Sequence, residues 1–434
     1  MIQIENTRRY NELRRKRIGG QVTSIWKGNN LFLGSRSFPV LDFTYITSDF
    51  SDFEKNVFEQ KQKMIYHLSG YGITYNEAFA SYIGESSERY TFASFYNVLK
   101  NFVIKDSYWG MCRKFGADQV CDLRLINSYF GEKDTKNYVT ADDVIQWVEM
   151  NSLCRIGEKV YLPLQFIVTN NGDIYKNEKP FMTSAVSTGT ASQEDVIKSL
   201  ENAIIEYLQI DSFNLWWYGG VKGKPVELDM VSFLSKYFHG SIQVKEFLDA
   251  FHVQFTDISF DKGIDIIVCE LFARKDYLPR YTIGVQGGRS KEKVLYRGLM
   301  ECLAVLEYNM NLPWMDQKQY TAVKPYETRI NNLDNNVILY AKYGKPAIVK
   351  HDKDIYGACL QPKDYDVISA VKRMSRYAGC LWITLPEFEH MNLEVCRISI
   401  PELLPMCLPS FPPYYHKRYE LTGGIQNNVP HPLA

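Results

Sequence analysis

The spacing of apolar residues along the chain predicts three long helices. Apolar positions recur at helical intervals over residues 74–100, 193–217 and 290–308. A segment rich in glycine and other small residues precedes each helix, and we interpret these segments as turns. Thr74 and Ser192 are predicted to cap the first two helices, because a hydroxyl at that position accepts a bond from a free backbone N–H. The same layout of turn and helix therefore occurs three times.

Runs of aromatic and β-branched residues predict strands around these helices. They cover residues 31–50, residues 160–190 on both sides of a turn at 170–173, residues 264–272 and residues 281–285. Farther along, the pattern predicts a strand at 337–344, a helix at 366–379, a strand at 380–385 and an irregular, Pro-rich end. Strands and helices interleave without a regular β-α-β rhythm, so the predicted fold class is α+β, or mixed α/β.

Composition excludes several functional classes. Lys and Arg number 50 and Asp and Glu number 50, so the formal net charge is zero. Proteins that bind nucleic acid backbones usually carry a basic excess, and polybasic membrane binders do so too. Hydrophobic residues make up 45% and charged residues 23%, which is typical of a globular protein. We therefore expect neither a nucleic acid nor a membrane as a partner.

Cysteine usage and the first residues favour a cytoplasmic location. The nine cysteines form no C-x-x-C pair and have no zinc-ligand spacing with histidine. The start, MIQIENTRRYNELRRKR, lacks the apolar core of a secretory leader, and no apolar run approaches the roughly 20 residues of a membrane span. The Arg-rich residues 8–17 are interpreted as a solvated helix face or as a partner contact.

Familiar catalytic motifs are missing from the sequence. The P-loop pattern does not occur, and the nearest string, at residues 219–224, is followed by Pro225 instead of Ser or Thr. No G-x-G-x-x-G, G-x-S-x-G or H-E-x-x-H pattern is present. A nucleotide site, if there is one, must therefore use another design.

Acidic residues recur on the three predicted helices. Glu85 and Glu88 lie three apart and so share a helix face, and Glu206 lies within an apolar run. Arg297 and Glu301 lie four apart on the third helix. A solvated helix end and an intrahelical ion pair are the structural alternatives. Carboxylates that converge need a shared cation, and Mg²⁺ prefers oxygen ligands together with substrate phosphates. The pattern therefore predicts a magnesium-nucleotide site without a P-loop.

These residues resemble the three ATP-binding motifs of YcaO-domain proteins over roughly residues 15–434. The first motif is matched by Ser81-x-x-x-Glu85-x-x-Glu88-Arg89 after Ser69-Gly70-x-Gly72. The second is matched by Ser187-x-Gly189-x-Ala191 with Glu206-x-x-Gln209-x-Asp211 and Trp216-Trp217, and the third by Arg297-x-x-x-Glu301. The resemblance implies the YcaO fold, with an ATP site formed by helices and a mixed sheet. It implies Mg²⁺ ligands at Glu85, Glu88, Glu206 and Glu301, and ATP contacts at Ser69, Arg89, Ser187, Gln209 and Arg297.

The end of the sequence resembles the Pro-rich C-terminus of azoline-forming YcaO cyclodehydratases. Residues 428–434 read NVPHPLA, whereas the family pattern is P-x-P-x-P, so Ala434 replaces the last proline. In that family the tail reaches the active site and its terminal carboxylate matters. The resemblance therefore implies catalytic roles for Pro430, Pro432 and Ala434. Without the resemblance, an exposed and frayed terminus would be the expectation.

Four positions depart from the family pattern. The family usually has Lys at the position of Tyr71, Glu at Gln209, Arg at Ile210 and Gln at Ala304. Loss of one anionic ligand and of two cations partly cancels in charge. These departures motivate a rival interpretation, in which the protein is a non-catalytic YcaO-like scaffold.

The resemblance implies an ATP- and Mg²⁺-dependent cyclodehydratase of thiazole/oxazole-modified microcin biosynthesis. Such an enzyme converts Cys, Ser or Thr of a ribosomal precursor peptide to thiazoline or oxazoline. YcaO-type backbone thioamidation and macroamidine formation are the other enzymatic alternatives. Implied partners are the precursor peptide with its leader, a separate E1-like leader-binding protein and a flavin-dependent azoline dehydrogenase, and a homodimer is considered.

We divide the chain into three parts. Residues 1–60 are an N-terminal segment considered for partner contact. Residues 61–310 are the ATP-binding core, and residues 311–434 complete the domain and carry the Pro-rich tail.

Overall fold

A computed structural model describes most of the chain from residue 67 onward. The described residues are 19–20, 26–27, 41–49, 67–130, 138–168, 178–182, 186–325, 329–355, 366–386, 388 and 391–434. Three predicted features therefore lie wholly or largely outside them: the Arg-rich residues 8–17, the turn at 170–173 and most of the N-terminal segment 1–60.

Strands and helices alternate irregularly along the chain. The strands are β1 Gly19–Gly20, β2 Trp26–Lys27, β3 Thr44–Asp49, β4 His67–Gly72, β5 Ile104–Ser107, β6 Val144–Ser152, β7 Lys159–Pro163, β8 Thr190–Gln193, β9 Lys224–Pro225, β10 Phe251–Asp257, β11 Asp265–Ala273, β12 Tyr281–Gly288, β13 Gly379–Trp382 and β14 Glu394–Ser399. The α-helices are α1 Tyr75–Leu99, α2 Tyr108–Phe115, α3 Leu123–Asn127, α4 Val196–Trp217, α5 Met230–Tyr237, α6 Ser241–Ala250, α7 Lys291–Met315, α8 Gln317–Ala322, α9 Leu333–Tyr343 and α10 Val367–Met374. Short 3₁₀ turns cover Leu164–Phe166 and Lys417–Thr422.

Antiparallel sheets form the framework beside the three long helices. One six-stranded sheet has the order β5-β6-β13-β14-β8, with β7 also paired to β6. A four-stranded sheet has the order β12-β11-β10-β9, and β3 pairs with β4. The predicted α+β or mixed α/β class is confirmed. The sheet pairings next to the long helices are antiparallel, where the resemblance implied a mixed sheet.

The buried apolar residues form two separate cores. One core contains the apolar face of α1 together with residues of β6 and β7. The other core contains residues of α4, α7 and strands β10 to β12. The predicted buried stripe of α1 is confirmed, since Ala78, Tyr82 and Ile83 are all buried. Helix α1 therefore belongs to one core and helices α4 and α7 to the other.

The glycine-rich segments predicted as turns are strands in two of the three cases. Gly70 lies in β4, and β12 includes the predicted strand 281–285 and continues to Gly288, where a turn was expected; in each case the following helix packs across the strand. A Cβ atom at Gly70 would lie 2.2 Å from the carbonyl oxygen of Ala78, and one at Gly284 would lie 2.5 Å from that of Gly298. Glycine is needed here for close approach of strand and helix, not for a turn.

Two other predictions about the long helices are corrected. Ser192 lies in β8, and Asp195 caps helix α4 by accepting a bond from the Lys198 N–H at 2.9 Å. Helix α7 continues beyond the predicted end at residue 308, through Pro313, to Met315. The cap of α1 is as predicted, because Thr74 accepts a bond from Glu77 N.

The strand predicted at 337–344 is wrong, because these residues belong to helix α9. Asn332 caps this helix by accepting bonds from the N–H groups of Asp334 and Asn335, both at 2.8 Å. The five residues from Val337 to Ala341 are all buried. A helix buried on several sides has a continuous apolar run, which cannot be told from a buried strand by its pattern alone. None of the described helices combines the length and the apolar character that a membrane crossing requires.

Candidate functional site

A large cavity separates helix α1 from helices α4 and α7. Its volume is about 1470 Å³, and residues of all three helices, of β4, β8 and β12 and of the C-terminal tail line it. The lining includes these residues predicted from the sequence: Ser69, Glu85, Glu88, Arg89, Ser187, Glu206, Gln209, Arg297, Glu301 and Ala434. The structure thus brings the three motifs together in one place.

The glutamates of α1 are bound to backbone N–H groups of neighbouring strands. Glu85 accepts bonds from the N–H and the hydroxyl of Ser69, at 3.2 and 3.0 Å. Glu88 accepts a bond from Ser192 N at 2.9 Å. Strands β4 and β8 therefore fix the orientation of both carboxylates, because a charged acceptor strengthens such bonds.

The same arrangement recurs on the other two helices. Glu206 on α4 accepts a bond from Gly189 N at 2.8 Å. Glu301 on α7 accepts bonds from Val285 N at 3.1 Å and from the Gln286 side chain at 2.8 Å. Each of the four predicted metal ligands is thus held by at least one backbone amide, which preorganises it.

Gln209 bridges two backbone groups of strand β12. Its Nε2 donates to Val285 O at 2.8 Å, and its Oε1 accepts from Gly287 N at 2.9 Å. The amide thus completes the backbone bonding of this strand, which a carboxylate could not do because it has no donor. The departure from the family's Glu at this position therefore has a structural role.

Of the three arginines that line the cavity, Arg89 and Arg297 belong to the predicted motifs. Arg89 donates to the hydroxyl of Ser187 and lies 3.7 Å from Glu85. The guanidinium of Arg297 lies 4.7 Å from the ring centre of Tyr71 and 3.9 Å from Glu77. The intrahelical Arg297–Glu301 pair was the alternative, and both side chains instead contact neighbouring elements.

Three carboxylates of the cavity have raised pKa values. Burial raises the pKa of Glu206 to about 7, and burial likewise raises that of Glu301 to about 7. The pKa of Glu88 is also raised, first by burial and then by the charge of Glu206. Burial and the repulsion between neighbouring carboxylates both disfavour the ionised form, so such groups tend to bind a proton or a cation.

This donor set fits magnesium bound together with a phosphate ligand. Among the described residues, no three His, Cys, Asp or Glu side chains lie close enough to hold a metal ion by themselves. Mg²⁺ usually takes one or two carboxylates and completes its shell with water and phosphate oxygens. Glu85, Glu88, Glu206 and Glu301, accompanied by Arg89 and Arg297, suit such an arrangement.

The C-terminal tail reaches the cavity. Leu433 and Ala434 line it, and Pro430 and Pro432 are buried just before them. The Nε1 of Trp217 donates to Val429 O at 3.0 Å, so one member of the tryptophan pair anchors the tail. The alternative of an exposed, frayed end is therefore wrong.

Sequence reasoning missed several residues of the site. Glu77 was assigned only to the helix cap, yet it also accepts a bond from Ile73 N at 3.0 Å and from the hydroxyl of Tyr296 at 2.9 Å. Gln286 was not singled out, although its position after the apolar run of β12 gives a weak signal. Arg289 and Lys293 also line the cavity and lie at the start of α7, where a basic cluster in the sequence could have indicated them.

The sequence matches one family profile over residues 69–404, and that family is described as YcaO cyclodehydratase, ATP- and Mg²⁺-binding. The chain belongs to the YcaO family. Members of this family are typically ATP-dependent enzymes that modify peptides, and the chain is identified at that level. All four departures from the YcaO motifs, Tyr71, Gln209, Ile210 and Ala304, lie in the cavity lining. No curated protein sequence matches the chain.

Solved structures share the fold of this YcaO protein. A heterocyclase in complex with substrate and cofactor is 15% identical, with a TM-score of 0.63, over 92% of this chain and 52% of the other. The E. coli microcin synthetase McbBCD complex with pro-MccB17 bound is 13% identical, with a TM-score of 0.65, over 96% and 99%. YcaO from Methanopyrus kandleri bound with AMPPCP and Mg²⁺ is 12% identical, with a TM-score of 0.51, over 98% and 94%.

These similarities establish a common fold. The chain spans about half the length of the heterocyclase that it matches. It matches almost the whole length of the microcin synthetase chain. The specific reaction and partners of this YcaO protein are therefore matters for proposal.

Proposed function

We propose that the protein is an ATP- and Mg²⁺-dependent peptide cyclodehydratase. It would convert Cys, Ser or Thr of a ribosomally made precursor peptide to thiazoline or oxazoline. One observation carries the proposal: the glutamates and arginines of the three YcaO motifs share a single cavity with Leu433 and Ala434. Support also comes from the similarity in fold to a heterocyclase and to a microcin synthetase, both solved with substrate or precursor.

The proposed reaction activates a backbone amide. The side-chain sulfur or oxygen attacks the preceding carbonyl carbon and loses its proton. The resulting oxyanion takes the γ-phosphoryl group of ATP, which leaves ADP. The phosphate then departs with the former carbonyl oxygen while the ring C=N bond forms and the amide proton is lost. The sum is azoline, ADP and phosphate, and no nucleophilic side chain of the enzyme is required.

The protein's own residues would position reactants and neutralise charge. Glu85, Glu88, Glu206 and Glu301 would hold Mg²⁺, which neutralises charge on the phosphates when it is bound. Arg89 and Arg297 would contact phosphate oxygens, because a guanidinium matches their geometry. Backbone N–H bonds to the glutamates keep this set in place before substrate arrives.

Peptide-modifying complexes of this fold suggest partners. The E. coli microcin synthetase is a complex that has been solved with its precursor bound. We propose that an E1-like partner protein presents the leader of the precursor, and that a flavin-dependent dehydrogenase oxidises the azolines. The cytoplasm, where ribosomal precursors and ATP are available, is the proposed location.

The decisive experiment combines the purified protein with its E1-like partner, a precursor peptide, ATP and Mg²⁺. We expect phosphate release together with the loss of one water per ring from the peptide mass. If ATP stays intact and the peptide mass does not change with the full partner set, the protein is a non-catalytic scaffold. A sulfur gain or an amidine ring in the peptide would instead support the other YcaO chemistries.

Two variants test the assignment of the glutamates. Glu88→Ala and Glu206→Ala should abolish Mg²⁺-dependent nucleotide binding in calorimetry, because each removes one carboxylate of the cavity. The exposed Glu227 provides a matched control, and Glu227→Ala should bind nucleotide as the wild type does. Unchanged affinity in the first two variants would remove these residues from the site.

A further inference from the structure

One face of helix α9 contacts the backbone of the C-terminal tail. Asn336 and Tyr340 lie four residues apart and so occupy the same face. The Asn336 Nδ2 donates to two carbonyl oxygens, those of His431 and Leu433, each at 2.8 Å. The Tyr340 hydroxyl donates to Pro430 O. Helix α9 thus supplies donors to three carbonyl groups of the tail, those of residues 430, 431 and 433.

The chemistry of the tail explains why these donors matter. Pro430 and Pro432 have no N–H group, so the buried tail has few donors that need a partner. Its carbonyl groups still need donors, because a buried carbonyl without a hydrogen bond is costly. The His431 N–H, a donor of the tail, is satisfied by Pro409 O at 3.2 Å. The carbonyl groups of the tail receive their hydrogen bonds from side chains such as Asn336.

Of these two donors, Asn336 binds the part of the tail that is nearer to the cavity-lining residues. Its two carbonyl partners flank Pro432, and the cavity-lining residues Leu433 and Ala434 follow immediately. The side chain of Asn336 is fully buried. Its Oδ1 has no hydrogen-bond partner among the described residues, so only the donor half of this amide is used.

We propose that Asn336 is a positioning residue that fixes where Leu433 and Ala434 enter the cavity. Its Nδ2 group holds the carbonyl oxygens of the two residues that flank Pro432 and thereby sets the direction of the last residues. Its effect on ring formation depends on the proposed function, whereas its effect on the tail does not. Asn336 itself would touch neither ATP nor the peptide.

The test replaces the donor with an acceptor of the same shape. In Asn336→Asp, a carboxylate would face two carbonyl oxygens, so we expect the tail to leave its place. Asn335→Asp is the matched control, since it makes the same change one residue earlier and keeps the Oδ1 that accepts from Gln319. Hydrogen exchange of residues 427–434, followed by mass spectrometry, measures the tail directly.

The expected results separate positioning from general stability. In Asn336→Asp, exchange of the tail should rise at least about tenfold while that of helix α4 stays unchanged. The Kd for Mg-ATP should stay within about twofold, and kcat for ring formation should fall at least about tenfold. Asn335→Asp should match the wild type in all three measurements.

Other outcomes would overturn the proposal. Unchanged exchange of the tail in Asn336→Asp would show that Asn336 does not hold it, and parallel loss of ATP binding would indicate a structural role. If Asn336→Asp does not fold, Asn336→Ala is combined with deletion of Leu433 and Ala434. The double variant should then be no slower than the deletion alone, because both act on the same element. If the wild type forms no rings, the proposed function fails, and the exchange measurement still decides the role of Asn336.

Discussion

Arg297 is held in the cavity by neighbouring residues on other elements. The ring of Tyr71 lies under its guanidinium at 4.7 Å, the carbonyl of Tyr71 accepts a bond at 3.4 Å, and Glu77 lies 3.9 Å away. YcaO relatives usually have Lys at the position of Tyr71. With Tyr71 the site lacks the positive charge of that lysine, but the aromatic ring positions the guanidinium of Arg297. The cavity therefore retains a cation that can bind an anion.

Substitution of Tyr71 tests this arrangement. Tyr71→Leu removes the cation–π contact, which is worth about 0.5–2 kcal/mol, so Mg-ATP should bind about 2- to 30-fold more weakly. Tyr71→Phe keeps the aromatic face and should bind within about twofold of the wild type. Titration calorimetry measures both. Equal weakening in the two variants would show that the hydroxyl matters instead of the ring.

The raised pKa values of Glu206 and Glu301 give the ligand-free protein a defined pH dependence. Each has a pKa of about 7 in the folded protein, against an ordinary value of 4.5. Between these values the folded state retains protons that the unfolded state has released. Stability must therefore fall as pH rises from 4.5 to 7, and level off above 7.

This effect can be measured by urea unfolding at pH 5 and pH 8 without nucleotide. We expect the free energy of unfolding to drop by about 4–5 kcal/mol over that range, with about 2–2.5 kcal/mol from each group. Glu206→Gln should reduce the drop and raise stability at pH 8, because it removes a buried negative charge. The exposed Glu227→Gln serves as control and should retain the full drop. A wild-type protein that is more stable at pH 8 would contradict the assignment.

At the residue scale, the sequence indicates the acids but not their partners. The three-residue spacing of Glu85 and Glu88 predicts a shared helix face, and both line the cavity. Their hydrogen bonds, however, come from Ser69 and Ser192, and the second of these lies 104 positions from its acceptor. Helical periodicity carries no information about such distant contacts.

At the element scale, the cavity depends on close contact between a strand and the helix that follows it. The strand β4 lies against α1 at Gly70, and β12 lies against α7 at Gly284. The short distance lets the backbone N–H of the strand reach a carboxylate on the helix, as Ser69 reaches Glu85. Glycine in these strands is therefore part of the site.

Two alanine substitutions compare a glycine at the contact between strand and helix with a glycine that has space around it. In Gly70→Ala the new methyl group would overlap the backbone of α1, so we expect a loss of about 2–4 kcal/mol in unfolding free energy. Gly84 lies inside α1, where the nearest atom to a new Cβ is 4.0 Å away, so Gly84→Ala should stabilise by about 0.5–1 kcal/mol. Chemical unfolding measures both. Similar values would show that β4 can move away from α1 at little cost.

Element types were predicted best where the pattern is long and amphipathic. The three long helices are confirmed, and their ends differ from the prediction by up to seven residues, as at Met315. The two clear errors, the turns before α1 and α7 and the strand at 337–344, have one cause. Glycine and apolar residues are used in more than one structure, and only tertiary packing decides between them.

At the scale of the whole molecule, a buried ionic cluster joins helix α4 to the C-terminal part of the chain. Arg418 lies 2.7 Å from Asp211 and 2.9 Å from Asp261, and Lys262 contacts both acids at 2.7 and 2.5 Å. Burial would raise the pKa of Asp211 and Asp261, yet the charges of Lys262 and Arg418 hold both below their ordinary range. The helix that carries Glu206 is thereby bound to the segment that leads to the tail.

Removal of Arg418 should destabilise the whole protein. In Arg418→Met two buried carboxylates would share the single charge of Lys262, so we expect a loss of about 3–5 kcal/mol, measured by chemical unfolding at pH 7. Arg124→Met is the control, because Arg124 forms its ion pair with Asp122 while almost fully exposed and should cost no more than about 1 kcal/mol. A small loss in Arg418→Met would show that water replaces the guanidinium.

The ionic cluster and the two cores are the parts of the architecture that the sequence does not show. The match to YcaO motifs indicated which residues share a site, and the cavity confirms their proximity. Asp211 was placed with the motif of Glu206 and Gln209, but its side chain binds Arg418 and Lys262. A sequence motif shows which residues occur together along the chain. It does not show which neighbours each side chain contacts in the folded protein.

The position of Ala434 has a practical consequence for work with the protein. Because Leu433 and Ala434 line the cavity, a peptide fused after residue 434 would begin at its wall. An affinity tag after residue 434 would compete for the space in which we propose that the substrate binds, and it would strain the hydrogen bonds that the tail carbonyls accept from Asn336. Preparations for activity measurements therefore need their tag elsewhere, and a C-terminally tagged protein that binds nucleotide but does not turn over should not be mistaken for an inactive one.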